Sequence, residues 1–219
     1  MNRLLQLTED GSHTFYLSEL DESYHSMHGA LQESEHVFIN HGFKQVNKTS
    51  IRILEIGFGT GLNSILTLRD SIKAGVMIHY HAVEKYPLTS SEYSRLNYEM
   101  LMDGVPEGIL QKMHQTPWGQ NVSLMANFTI YKEQSDFRNM KPEGRFDLIY
   151  FDAFAPEKQP ELWTDDIFSK IADLSNPGAV LVTYSSKGVV RRALKTCGFN
   201  VEKIPGPPGK WEMIRAIRI

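Results

Sequence analysis

The chain has 219 residues, 41% hydrophobic and 22% charged, with a formal net charge of −3. That is the make-up of one globular domain with a substantial core, and it excludes disordered and collagen-like classes. No apolar stretch approaches the roughly 20 residues that cross a bilayer, the N-terminus lacks the long apolar core of a secretory signal, and the single Cys197 has no partner for an internal disulfide. These features predict a cytoplasmic protein with no membrane partner.

The net charge argues against nonspecific nucleic-acid binding, which needs broad phosphate neutralisation. Its distribution is uneven. From Lys187 onward eight Lys/Arg face only Glu202 and Glu212, a surplus of +6, which leaves −9 for the rest of the chain. A basic end on an acidic body suits a polyanion touching one face; a solvated helix face plus ordinary strand charges would give the same count.

In chain order, Asp10-Gly11 is a two-residue turn signal between segments that can pair as a short hairpin. Residues 26–43 carry Ala30, Leu31, Ser34, Val37 and Phe38 at helical spacing. After Ser50, apolar segments at 52–57, 77–84, 127–133, 146–152 and 179–185 alternate with stretches long enough for crossover helices. That alternation predicts a mainly parallel α/β sheet, with ligands beyond the carboxyl ends of its strands. The last 22 residues read as two strands around the Pro/Gly turn 205–209, an antiparallel hairpin on the sheet edge. The expected organisation is an N-terminal hairpin and helix extension over 1–50, packed on a single compact unit over 51–219.

Leu54 to Ser64 reads LEIGFGTGLNS, with Gly57, Gly59 and Gly61 directly after the first core strand. Glycines there let the backbone turn tightly and let a ligand approach main-chain N–H groups. The loop lacks the Lys-Ser/Thr of a P-loop, and its GxGxG is not the GxGxxG of dinucleotide enzymes. At the end of the second core strand stands Glu84, whose carboxylate can accept both hydroxyls of a ribose. Together they point to a nucleoside-containing cofactor. The E-x-G-x-G-x-G run resembles S-adenosyl-L-methionine methyltransferases, which implies a Rossmann-like class I fold and that cofactor. On the same resemblance, Glu55, Asn63 and Lys85 join the cofactor residues, Glu55 toward the methionine ammonium or a loop amide. Where such enzymes carry an acid near the adenine, this sequence has Gln134-Ser135, with Asp136 just beyond.

Asp152 closes the fourth strand of YFDAFAPEKQPELW. A carboxylate beside a methyl donor can accept a hydrogen from an amine, orient its lone pair and stabilise the cation that forms. The loop that follows is small at Ala153 and Ala155, stiffened by Pro156 and Pro160, and bears Phe154, Lys158 and Trp163, as a wall for a flat base would. A helix N-cap with aromatic core plugs is the plainer reading of the same loop.

LEIGFGTGLN, VEKYPL, FDAFAPEKQPELWT, SSKGVVRRALKTCGF and GKWEM, with the N-terminal DGSHTFYLSELDESYHSMHGALQESEHVFI, resemble the methyltransferase domain of the bacterial MnmC family over nearly the whole chain. The resemblance implies methylation of 5-aminomethyl-2-thiouridine to 5-methylaminomethyl-2-thiouridine at the tRNA wobble position. It puts the cofactor glycines at Gly57, Gly59 and Gly61, the ribose acid at Glu84 and the active-site acid at Asp152. Tyr24, His25 and Ser26 become pocket residues, and Arg191, Arg192 and Lys210 join the RNA-facing set. Many members of that family continue into an FAD-dependent oxidase; this sequence ends before one, so a separate enzyme is expected to supply the aminomethyl group. The family's very basic stretch before its Glu-Met is reduced here to Gly209-Lys210-Trp211.

His25, His28, His36 and His41 cluster in sequence, and His-x-x-His can put two rings on one helix face. No cysteine or tight carboxylate group accompanies them, so no metal is expected. The competing function is a small-molecule amine transferase, such as an aminopropyltransferase, which an acidic pocket would suit; a noncatalytic module is disfavoured by the intact Glu84 and Asp152.

Overall fold

The computed structural model describes residues 2–141 and 143–219. Eight strands form one sheet in the order β10-β11-β9-β8-β4-β5-β7-β6. The parallel centre comprises β4 (Ser50–Ile56), β5 (Met77–Glu84), β7 (Phe128–Gln134), β8 (Phe146–Phe151) and β9 (Ser175–Thr183). The chain leaves β4 toward β5 and β7 on one side and returns to β8 and β9 on the other. Strand order therefore reverses between β4 and β8, and a crevice opens beyond their carboxyl ends.

Period-two alternation divides the core. Ile51 and Ile53 of β4 pack with α2 (Leu62–Ala74), whereas Leu54 and Ile56 pack with α5 (Asp165–Asp173) and α6 (Gly188–Thr196). Helix α2 begins at Gly61 (φ 77°) and stops at Gly75 (φ 67°), whose left-handed backbone closes the last turn. Thr164 caps α5 by accepting from Ile167 N, and its stripe Ile167, Phe168 and Ile171 is buried.

Three features differ from the sequence expectations. The helix anticipated over 26–43 is shorter: α1 (Ala30–Ser34) runs into a π-helical stretch, Glu35–Asn40, and His41 N bonds His36 O at 3.2 Å. The Asp10-Gly11 hairpin, β1 (Arg3–Leu7) with β2 (His13–Leu17), gains a short third strand, β3 (Glu22–Ser23), and forms its own sheet. The C-terminal hairpin is present, but β11 (Glu212–Arg218) is inserted against β9, and only β10 (Phe199–Pro205) takes the edge. At the opposite edge, β6 (Asn121–Met125) adds an antiparallel strand that polar residues at alternate positions had hidden. Two short helices, α3 (Ser90–Tyr93) and α4 (Ile109–Gln115), lie between β5 and β6.

Among the described residues no helix is long and apolar enough to cross a membrane.

Candidate active site

Gly57 N and Phe58 N both donate to Val83 O, at 3.0 and 3.1 Å, tying the glycine loop to the end of β5. Gly57 (φ 94°) lies against the chain after β8; a Cβ there would meet Asp152 O at 2.3 Å. Only glycine permits both that φ and that approach. Gly59 N donates to Glu84 Oε2 at 2.9 Å, while Glu84 Oε1 accepts Tyr86 N at 2.7 Å. Each carboxylate oxygen keeps a lone pair for a further donor.

Beneath the loop, Asn63 Nδ2 donates to Glu55 Oε1 at 3.0 Å and to Asp152 Oδ2 at 2.8 Å. Burial pushes the Glu55 carboxyl well above its ordinary range, and the neighbouring Asp152 adds to the shift. Burial also raises Asp152, to about 7, with the Glu33 charge raising it further and the Asn63 hydrogen bond and Lys210 opposing. Asp152 keeps a face open to the cavity; Glu55 is 0% exposed and lies under the site, bonded to Asn63 rather than to a loop amide. Asn63 Oδ1 is buried with no hydrogen-bond partner among the described residues.

The cavity above these groups measures about 550 Å³, the scale of a cofactor or nucleoside site. Tyr24, His25, Ser26, Asn63, Glu84, Lys85, Ser135, Phe154 and Lys158 line it, together with Lys210 from the C-terminal hairpin. Tyr24 spans its mouth: the phenol oxygen accepts from Arg3 Nε at 2.9 Å, and the ring meets Phe154 edge-on at 5.2 Å and closes on the Gly59 backbone. Burial lowers His25 to about 4, so its ring is neutral at physiological pH and makes a 3.1 Å hydrogen bond with the Thr14 hydroxyl. It is no cationic proton donor.

Several expected residues lie elsewhere. Gln134 is exposed at the end of β7 and outside the cavity wall, where Ser135 and Asp136 stand instead. Asp136 is held far below the carboxylate range by hydrogen bonds from Arg138, with Lys85 also contributing. Trp163 is buried, and its Nε1 donates to Phe154 O at 2.8 Å, so it supports the wall from behind. Pro156 is not in the lining, and Arg191 and Arg192 lie on α6, away from the cavity. His25 and His28 precede α1 rather than sharing a helix face, and among the described residues no three His, Cys, Asp or Glu are grouped to hold a metal.

Glu33 and Tyr184 are among the wall residues that escaped sequence reasoning. Glu33, 8% exposed at its side chain, accepts Ser26 N at 2.7 Å and Lys210 Nζ at 2.5 Å. Tyr184 donates to Ala153 O at 2.8 Å and lies under the Lys210 ammonium, 4.1 Å from its ring centroid. Nothing local marks either one; only the fold brings residues 33, 184 and 210 together. The wall is acidic: Asp21, Glu22, Glu33, Glu84, Asp136, Asp152 and Glu161 outnumber Lys85, Lys158 and Lys210. The basic tail is also less free than its count implied. Lys187 pairs with Glu157, Lys203 with Glu212, Lys210 with Glu33 and Arg215 with Glu202, and Arg218 bonds backbone carbonyls. Arg191, Arg192 and Lys195 make no ion pair among the described residues.

Residues 109–219 match the model of a family described as S-adenosyl-L-methionine-dependent methyltransferase. The chain is 31% identical, over 92% of its length, to the tRNA 5-methylaminomethyl-2-thiouridine biosynthesis bifunctional protein MnmC of Aeromonas salmonicida, and 32% identical, over 90%, to the protein of that name from Cupriavidus necator. It spans about a third of the length of these relatives, 33% and 32%. The crystal structure of MNMC2 from Aquifex aeolicus superposes with a TM-score of 0.80 at 26% identity, over 98% of this chain and 69% of that one.

Proposed function

Since the chain belongs to the S-adenosyl-L-methionine-dependent methyltransferase family, with the Rossmann-like class I fold and that cofactor, we propose that it N-methylates 5-aminomethyl-2-thiouridine at the wobble position of tRNA, giving 5-methylaminomethyl-2-thiouridine. The names of its MnmC relatives support the substrate. The observation that carries the chemistry is Asp152: a carboxylate raised to about 7, fixed by Asn63, at the floor of a base-sized acidic cavity.

The residues present fit the cofactor. Gly57 and Gly59 line the cavity in a loop held against the ends of β5 and β8, Glu84 retains lone pairs for ribose hydroxyls, and Ser135 and Asp136 in the lining would meet the adenine. When bound, the cofactor supplies a methyl group on a sulfonium, an electrophile that needs only a free amine lone pair in line with it. The chain's own part is to make that lone pair available. An alkyl amine is mostly protonated at neutral pH, and the excess of wall carboxylates attracts the cation. Ionised Asp152 removes the extra proton of the ammonium and so frees a lone pair for the methyl; the secondary ammonium that forms keeps its own protons, and Asp152 regains its charge by releasing the proton it took to solvent. A pKa near 7 lets it do so at neutral pH.

The substrate must arrive with its amine already free, and we assign the supply of that amine to a separate reaction. We place the protein with its tRNA in the cytoplasm, and residues 1–50 as the extension that covers the substrate side of the unit over 51–219. The acidic wall would equally receive a small polyamine, which makes that class the control.

The test is transfer of labelled methyl to tRNA carrying 5-aminomethyl-2-thiouridine, with spermidine precursors alongside. Wild type is expected to label the wobble nucleoside, and Asp152→Asn to lose about 10²- to 10⁴-fold in kcat while binding cofactor within a few-fold. Labelled polyamine with unlabelled tRNA overturns the substrate.

A further inference from the structure

The turn between β10 and β11 is tied down at its root and bare at its tip. Lys210 N donates to Pro207 O at 2.9 Å, Gly206 N to Trp211 O at 3.2 Å, and His36 shares a 2.9 Å hydrogen bond with Pro205 O. Gly209 (φ 84°) packs so closely on the His28 ring that a Cβ there would come within 2.3 Å of Cδ2. Lys210 reaches inward to Glu33 and over Tyr184 at the cavity wall. The next residue, Trp211, is 97% exposed, more than any other large hydrophobic side chain among the described residues. Trp163, by contrast, is 5% exposed. A held turn thus keeps an uncovered indole one residue from Lys210 of the cavity wall.

We infer that Trp211 stacks on the unpaired nucleobase next to the target nucleotide in the same single strand. This rests on the tRNA reading. A base that enters the cavity leaves its neighbour without a stacking partner, and an indole face at the rim replaces the one lost. Because every base has a π-face, such a platform accepts different neighbours. Its tie to Glu33 and His28 means that little ordering is needed on binding. An uncharged indole gives the rim a hold on RNA that does not depend on the tail cations, four of whose eight are occupied by carboxylates.

The experiment compares wild type, Trp211→Ala and Trp211→Phe on an anticodon stem-loop carrying the aminomethyl base, at low and moderate salt. Trp211→Ala is expected to raise KM roughly tenfold, with kcat within twofold and cofactor affinity unchanged. Trp211→Phe should recover most of the loss. The KM ratio should be the same at both salt concentrations, because no phosphate contact is removed. Indole emission of wild type should be quenched by the RNA, and Trp211→Phe should lose that quench. Wild-type KM in Trp211→Ala with no Trp211 quench overturns the inference alone. Absence of tRNA labelling by wild type overturns the functional reading, and this inference with it.

Discussion

The two halves of the proposed site, one for cofactor and one for substrate, are built differently. The cofactor half is made of backbone: Gly57, Phe58 and Gly59 are pinned to Val83 and Glu84 within one parallel β4-α2-β5 unit. The substrate half is made of side chains from distant segments, with Tyr24, Glu33, Tyr184 and Lys210 meeting only through tertiary structure. Backbone geometry tolerates little substitution at its glycines. A wall of side chains can change its charge and shape one residue at a time, which is where relatives with different substrates would diverge.

The contrast can be broken most sharply at Gly57. Gly57→Ala puts a methyl 2.3 Å from Asp152 O at a φ of 94°, so either the loop or the end of β8 must move. Cofactor Kd, measured by calorimetry, is expected to rise about 100-fold or more, with a lower Tm.

How much of this was legible follows the same division. Gly57, Glu84 and Asp152 could be placed from sequence because each ends or directly follows a strand with a clear apolar pattern. Glu33 and Tyr184 could not, since burial of a carboxylate by a lysine 177 residues away leaves no local trace. The tail's charge was counted correctly, but its pairing was hidden: strand partners such as Glu202 and Arg215 are set by hairpin register. Gln134 was assigned by resemblance; β7 runs one residue past the expected 133, so Gln134 ends the strand and Ser135 and Asp136 take the cavity wall.

A pH profile sharpens the contrast at Asp152. kcat/KM should rise with pH and level off above about 7, as the raised carboxyl ionises. Glu33→Gln should move that midpoint downward, because the Glu33 charge contributes to the shift and Lys210 remains to oppose it. An unmoved midpoint would separate Glu33 from the reacting acid. The same raised pKa opposes folding at higher pH. Stability that the protonated Asp152 confers is complete below its unfolded value near 4 and is lost as pH rises through about 7. Asp152→Asn should therefore have a higher Tm than wild type at pH 8, and the difference should shrink toward pH 4.

The smallest effect is expected on α6. Changing Arg191 and Arg192 together to Ala removes two cations with no ion pair among the described residues, so tRNA KM should rise a few-fold. The slope of log KM on log salt should flatten by roughly one to two, with cofactor affinity unchanged. Unaltered salt dependence would remove α6 from the docking face.

The Glu33–Lys210 contact also sets an order of assembly. Residues 50–152 contain four of the five parallel strands (β4, β5, β7 and β8), the glycine loop, Glu84 and Asp152, so a nascent or partly unfolded chain can complete the cofactor half from that segment and its immediate packing. The wall facing the substrate cannot close until the final hairpin, β10 and β11, has folded against β9 and returned Lys210 to a helix near the N-terminus. Contacts of such sequence separation form late and open early. Amide exchange should thus find the hairpin tip and residues 24–34 opening together, at lower free energy than β4 and β8, so that cofactor binding outlasts the competence to receive RNA.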